Sequence, residues 1–348
     1  MKVGLTGLGL IGKERLLALE RLRSEGYDIE IIGIHDPYSK DLQILSDKYS
    51  VNTFTVFDKL LNENPDWVFI ATPHDIAVNL AKKSLENNLK VLIEKPLGRN
   101  LEEAKELYNL CKNKNDLWVG FNYRFFDGVN ALLKDVVENK FGKLISINFI
   151  LGHGCSPNIT EGWKLDPVKA GGGCLIDPGI HFIDLARIMT GNKLEMNQGM
   201  LWNGFWNTGI EEECHLLFNG GSCIVNMQIS IVKWKSTFRI EVNGHDGYGI
   251  VDGRNRSYGK QKYITGNRWG WQNAKNQKDS EILVCESDGE DVFYKETKAL
   301  LFPDNNDIIK PCNLEEGISN MELLAQAYKL SEFVAENQKN NASFRLKY

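Results

Sequence analysis

Residues 1–16 read MKVGLTGLGLIGKERL, and the fold turns on how Gly7, Gly9 and Gly12 are read. Residues 2–6 are apolar and β-branched enough for a short buried strand. From Leu10 onward, Leu10, Leu16, Leu17, Leu19 and Leu22 recur at roughly helical spacing. The glycines therefore fall between a strand and a helix, where a dinucleotide-binding turn needs them. Gly7 would permit the tight turn, Gly9 would let a pyrophosphate approach bare backbone, and Gly12 would let the helix pack closely on the strand. The first helical turn, with Leu10 and Ile11, would offer amides and a partial positive charge to the phosphates. The alternative is three glycines in a flexible loop, so the surrounding pattern must decide.

The next apolar run, IEIIGIHDPY (29–38), ends at Asp36, 24 residues beyond Gly12. A dinucleotide fold expects an acid about 20 residues on, bonded to the adenosine ribose. A carboxylate there repels a 2′-phosphate, which favours NAD; Lys40 nearby keeps NADP open. Read locally, Asp36-Pro37 is also a common turn pair.

A length of 348 residues implies two domains or one large one, and a hydrophobic content of 42% supports full cores. The net charge of −5 is spread along the chain, with no Lys/Arg cluster that would point to nucleic acid or an anionic membrane. No apolar run approaches the roughly 18 residues of a membrane span. The start at Met1-Lys2 runs straight into the first expected strand, which leaves no room for a signal peptide. The seven cysteines are widely spaced without any C-x-x-C, as expected of reduced thiols in a cytoplasmic protein. The histidines lack paired ligand spacing, so no metal is expected.

Strands are expected at 2–6, 29–35, 66–71, 90–94 and 117–121, alternating with helical patterns. This is a doubly wound parallel sheet of Rossmann type. Ligands on such sheets bind beyond the carboxyl ends of the strands. Asp36, the Thr72-Pro73-His74 turn, Glu94-Lys95-Pro96 and Asn122-Tyr123-Arg124 all fall there. After about residue 125 the texture changes to a helix (128–140), a strand (143–151), a Gly-rich loop and a second helix (180–190). From about 195 to 300, runs with turns at NGG, NGHDG and DGRN predict a mostly antiparallel open sheet. Domains are thus expected at 1–123 and 124–348. Trp202, Trp206, Trp234, Trp269 and Trp271 read as sheet packing or a subunit interface. Asn313 and Glu316 read as a capping box opening a helix over 314–338, with ASFRLKY as an extended tail.

Four stretches in order, GLGLIG (7–12), IEKPLG (93–98), GFNYRF (120–125) and GGGCLIDPGIHFID (171–184), together resemble the Gfo/Idh/MocA oxidoreductases over nearly the whole chain. The resemblance implies an N-terminal Rossmann domain. It implies a C-terminal α/β domain whose sheet covers the active site on one face and forms a homodimer or homotetramer through the other. It carries the family's catalytic lysine, aspartate and histidine onto Lys95, Asp177 and His181. An ammonium at Lys95, past the end of a buried strand, would bond a substrate hydroxyl and stabilise developing alkoxide charge. Asp177 and His181 are four apart, so a continuous helix would place both on one face as a proton relay. Read locally, Asp177 is instead an N-cap ahead of Pro178. The three glycines before them imply close backbone approach to something.

Other positions are softer. Thr72 and Pro73 match the family's turn beside the cofactor ribose, with His74 standing where asparagine is usual and Ala77 where histidine is usual. Glu94 is a cofactor-side or structural partner, and Asn122 a cofactor contact. Tyr123 and Arg124 match a stretch near the substrate, although Arg124 reads equally as an ion-pair partner. Trp163-Lys164 falls where relatives carry Trp-Arg; lysine lacks the bidentate geometry of arginine. His153, in GHGCSPN, lines either a sugar pocket or a surface loop.

The expected function is hydride transfer between NAD (or NADP) and a secondary alcohol of a sugar, cyclitol or nucleotide-activated sugar. Transient sugar oxidation in an NAD-using glycosidase or lyase, and a non-catalytic dinucleotide sensor, are the alternatives.

Overall fold

The computed structural model describes residues 1–111, 113–268, 281–288 and 291–334. Trp269, Trp271 and the 342–348 tail lie outside the described residues. The chain divides into two units, Met1–Asn122 with Asp291–Met321, and Tyr123–Glu290 with Glu322–Tyr348. The first break falls next to the expected 123/124 boundary, but a later segment returns to the first unit, which two contiguous domains did not anticipate.

In the first unit, β1 (Lys2–Thr6), β2 (Glu30–His35), β3 (Thr53–Phe54), β4 (Trp67–Ile70), β5 (Lys90–Glu94) and β6 (Leu117–Gly120) form a parallel sheet. The strand β15 (Cys312–Asn313) adds to its edge antiparallel to β6, giving the order β15-β6-β5-β4-β1-β2-β3. The α1 helix (Leu10–Ser24) buries Leu16, Leu19 and Leu22 against Val3 and Leu5 of β1. The returning helix Val292–Leu301 packs on α1 and places Leu300 and Leu301 in the same core. A buried ion cluster fastens it there. Arg15 of α1 bonds Glu94 (2.6 Å), Glu296 (2.5 Å) and the Thr297 hydroxyl (3.2 Å), with only 1% of its side chain exposed.

The second unit is built on a nine-stranded sheet. Its strands are β7 (Leu144–Gly152), β8 (Glu195–Trp202), β9 (Glu213–Asn219), β10 (Ile224–Ser230), β11 (Thr237–Gly244), β12 (Gly247–Asp252), β13 (Gln261–Asn267), β14 (Ile282–Ser287) and β16 (Ser331–Val334). The order is β14-β13-β12-β11-β7-β10-β9-β8-β16, antiparallel except for the β10–β7 and β16–β8 pairs. Burial alternates along β9, β10 and β11, so one face of the sheet is covered. The helices Asp127–Val137 and Ile180–Met189 pack against each other within the unit. Phe182 fills the core between Phe149 and Phe238, with ring centroids at 4.8 and 5.6 Å.

The expected helix over 314–338 is shorter than its pattern. It opens at Leu314 with the Asn313/Glu316 capping box, where the Glu316 amide donates to Asn313 Oδ1 at 2.9 Å. It ends at Lys329, because Ser331–Val334 pair with β8. Among the described residues no helix is long and apolar enough to cross a membrane, and no cluster of metal-ligating side chains occurs.

Candidate active site

The glycine turn is fixed by contacts that leave no room for side chains at two of its three positions. Gly7 has φ +86°, and a Cβ there would sit 2.4 Å from the Ala71 carbonyl oxygen. At Gly12 a Cβ would sit 1.8 Å from the Gly7 carbonyl oxygen. Gly9 differs, since nothing lies within 4 Å of the position a Cβ would take. The first bond of the α1 ladder runs from the Lys13 amide to the Gly9 carbonyl (3.1 Å), so the amides of Leu10, Ile11 and Gly12 precede it. No acidic side chain stands in that turn.

Asp36 follows β2 and ties the turn in place. Its Oδ2 accepts from the Leu8 amide (2.8 Å), and its Oδ1 from the Tyr38 and Ser39 amides (2.9 and 3.0 Å). Three of about four carboxylate acceptor sites are thus occupied, which leaves one on the Leu8-bonded oxygen. Thr72 Oγ1 is buried with no hydrogen-bond partner among the described residues. The open backbone at Gly9, the first-turn amides, the half-exposed Asp36 and the orphaned Thr72 hydroxyl fit a dinucleotide. Gly12→Ala is therefore expected to abolish dinucleotide binding in a fluorescence titration, because the clash is with backbone that cannot swing away. Unchanged affinity would contradict this packing.

Elsewhere in the first unit, Pro73 leads into the helix His74–Glu86, whose first residue, His74, is buried. Lys95 follows the last residue of β5 and is half-buried. Glu94 is held by Arg15, and a Cβ at Gly120 would meet its Oε2 at 2.7 Å. Asn122 closes the unit at the start of a single 3₁₀ turn.

The second unit gathers its own cluster. The His181 ring stacks on Tyr123, centroids 3.7 Å apart and planes within 1°, and both side chains are buried. Burial raises the Tyr123 phenol, only partly offset by Arg254, so it stays protonated at neutral pH. Lys164 pairs with Asp177 at 3.0 Å, and this carboxylate raises the ammonium above its usual range. His153 is lowered by burial and then by the positive charge of Arg254, which keeps its ring neutral near pH 7. Trp163 opens the short turn that carries Lys164.

Two expectations about this cluster are corrected. Asp177 is neither an N-cap nor on one helical face with His181. Its backbone is extended (φ −143°, ψ 100°), and the helix begins at Ile180 with no side-chain cap. The residue before proline is pushed out of the helical region by the proline ring. The close approach implied by the Gly171–Gly173 run is internal. A Cβ at Gly173 would meet the Glu211 carbonyl oxygen at 2.0 Å, and one at Gly172 the Tyr328 hydroxyl at 2.2 Å. Glu211, fully buried, accepts from the Gly173 and Leu175 amides and from Tyr328 through one oxygen. This anchors the segment that carries Asp177.

Arg124 takes the ion-pair role. Its guanidinium forks onto Asp184 (2.7 and 2.5 Å), with 2% and 1% of the two side chains exposed. The residue that sequence reading missed is Arg254, in the DGRN turn. It donates to the Tyr123 hydroxyl and lies over the Tyr123 and Tyr258 rings, at 4.9 and 4.5 Å. Trp206 and Trp234, which the sequence reads as sheet packing or a subunit interface, line a cavity of about 630 Å³ with His153 and Tyr258.

Two models of one family match the chain. One, an oxidoreductase family with an NAD-binding Rossmann fold, covers residues 1–122, and the other, a GFO/IDH/MocA C-terminal domain, covers 130–249. The chain belongs to the Gfo/Idh/MocA family of NAD(P)-dependent oxidoreductases. Levoglucosan dehydrogenase of Pseudarthrobacter phenanthrenivorans is 28% identical over 206 residues, 57% of this chain and 53% of that protein. The chain thus spans about half the length of that relative. Glucose-6-phosphate 3-dehydrogenase of Bacillus subtilis is 23% identical over 283 residues, 73% of this chain and 78% of that protein. In three dimensions, a 3-ketoreductase from Actinomadura kijaniata, solved with NADP and TDP-benzene, matches with a TM-score of 0.76. It covers 96% of this chain and 99% of its own at 16% identity, which establishes the shared fold.

Proposed function

We propose that this protein transfers hydride between a nicotinamide cofactor, NAD in preference to NADP, and a secondary alcohol or ketone of a sugar, cyclitol or nucleotide-activated sugar. The observation that carries the reading is the amide-lined opening over Gly9 with Asp36 beside it. When bound, the nicotinamide supplies or accepts the hydride. The Lys95 ammonium donates to the reacting oxygen and stabilises negative charge as it develops there. His181 takes or returns the hydroxyl proton, with Tyr123 holding its ring plane and Asp177, steadied by Lys164, orienting the hydroxyl. The dehydrogenase relatives act on carbohydrates by name, which supports the substrate class. The open face of the second unit's sheet, with Met200 and Ile224 exposed, is assigned to a homo-oligomer contact.

The NAD preference rests on charge. Asp36, already fixed by three backbone amides, would face a 2′-phosphate as an anion against an anion, with Lys40 four residues on as the opposing charge. Titration with NADH and NADPH, followed by tryptophan fluorescence, is expected to show tighter NADH binding. Asp36→Ser should narrow or reverse that order. Tighter NADPH binding by the unaltered protein would overturn the role given to Asp36.

A further inference from the structure

Arg254 is a cation with no paired carboxylate among the described residues. It is half-buried in the turn between β12 and β13, and its guanidinium meets three aromatic rings. It donates to the Tyr123 hydroxyl, and its guanidinium lies 4.9 Å from the Tyr123 ring centre, 5.8 Å from Phe126 and 4.5 Å from Tyr258. No carboxylate lies within ion-pair distance of it among the described residues, whereas Lys164, in the same cluster, has Asp177. Holding a guanidinium on ring faces fixes its direction without neutralising it. Its planar fork is suited to phosphate.

Tyr258 connects this cation to the cavity. One side of its ring meets Arg254, and it also lines the 630 Å³ space with His153, Phe205, Trp206 and Trp234. The cavity has built walls. The Phe205 ring stands edge-on to Trp206 and Trp234, with centroids at 4.9 and 5.1 Å. The Phe205 and Trp206 amides donate to the two oxygens of Glu212, a carboxylate with no exposed surface (2.8 and 2.9 Å). Trp234, by contrast, is 68% exposed, a large apolar ring left to solvent. The volume lies within the range of small-molecule sites. The neutral His153 and the nearby positive charge disfavour a cationic occupant, so the cavity is not an ammonium cage.

We propose that Arg254 is the phosphate anchor of this enzyme's substrate, and that the Phe205–Trp206–Trp234 cavity receives the base of a nucleoside diphosphate whose sugar lies at Tyr123 and His181. This deepens the carbohydrate reading above and rests on it. A phosphate beside Arg254 completes the missing ion pair, and a flat base covers the exposed Trp234 face. A sugar phosphate would satisfy Arg254 alone and leave the aromatic cavity without a function.

The test is a tryptophan-fluorescence and calorimetric titration of the full chain saturated with NADH, so that the dinucleotide turn is filled. The probes are UDP, TDP, GDP and ADP, with the parent nucleosides and glucose 6-phosphate alongside. At least one diphosphate is expected to bind at least about tenfold more tightly than its nucleoside. Arg254→Gln should weaken it about 10–100-fold, as loss of a charged hydrogen-bonding partner does. Trp234→Ala should weaken it about tenfold through lost stacking, and NADH affinity should stay unchanged in both variants. Absence of diphosphate binding, or binding that Arg254→Gln leaves intact, overturns the proposal. So does glucose 6-phosphate binding as tightly as the diphosphates and indifferently to Trp234→Ala. Failure of NADH itself to bind overturns the dinucleotide reading instead, and the Arg254 and Trp234 dependence is then read on the protein alone.

Discussion

Replacing Arg124 by alanine is expected to lower the unfolding free energy by about 3–5 kcal/mol, the usual result of stranding a buried charge. Asp184 would keep its carboxylate in the core with Arg187, 3.7 Å away, as the nearest remaining cation among its described ion pairs. That distance gives only a weak substitute for a bidentate fork. The double replacement Arg124→Met with Asp184→Leu should recover most of the loss, because both charges then leave together. Urea unfolding of the single and double variants measures this directly. A loss below about 1 kcal/mol for Arg124→Ala would return Arg124 to the role of an accessible substrate contact, since exposed ion pairs are worth about that little.

The second large effect concerns His181. His181→Ala is expected to reduce kcat by about 10²–10⁴, the range for a lost general acid–base group. Dinucleotide affinity should be unchanged, since that is a property of the glycine turn in the other unit. The stack on Tyr123 makes a further distinction. Tyr123→Phe keeps the ring against His181 and removes only the hydroxyl that Arg254 bonds, whereas Tyr123→Leu removes the platform. Tyr123→Leu should therefore cost more in kcat than Tyr123→Phe. Equal losses in the two variants would mean that the hydroxyl, and not the platform, matters. Full activity in His181→Ala would remove the histidine from the chemistry.

The dinucleotide turn was legible because its physics is local. A strand, three glycines, a helix and an acid 24 residues on occupy consecutive positions, and the structure has β1, α1 and β2 within a residue of where the pattern places them. The capping box at Asn313 and Glu316 is legible for the same reason. What the sequence hid is non-local. Arg15 is paired with Glu296 across 281 positions, and no periodicity announces such a pair, so the return of Asp291–Met321 to the first unit was invisible. The role of Arg124 was undecidable at the same level, because a buried fork and a substrate clamp use the same residue type. Arg254 sat in an ordinary-looking turn, DGRN, whose meaning depends on Tyr123 131 positions earlier. Asp177 is different, for there the signal was present. Its proline neighbour argues for extended backbone, against the shared helical face that the four-residue spacing to His181 suggests. At the end of the helix Leu314–Lys329, apolar residues kept helical spacing into a segment that β8 recruits as a strand, a tertiary override of local pattern.

The most direct test of the account is absorbance at 340 nm with the full chain, NAD and a panel of sugars, inositols and nucleotide-linked sugars, run beside Lys95→Ala. The account predicts net NADH formation with at least one carbohydrate alcohol, and a loss of about 10²–10⁴ in that rate for Lys95→Ala. Carbohydrate turnover that releases a glycosidic group with no net NADH, or a Lys95→Ala rate equal to that of the unaltered protein, would contradict it.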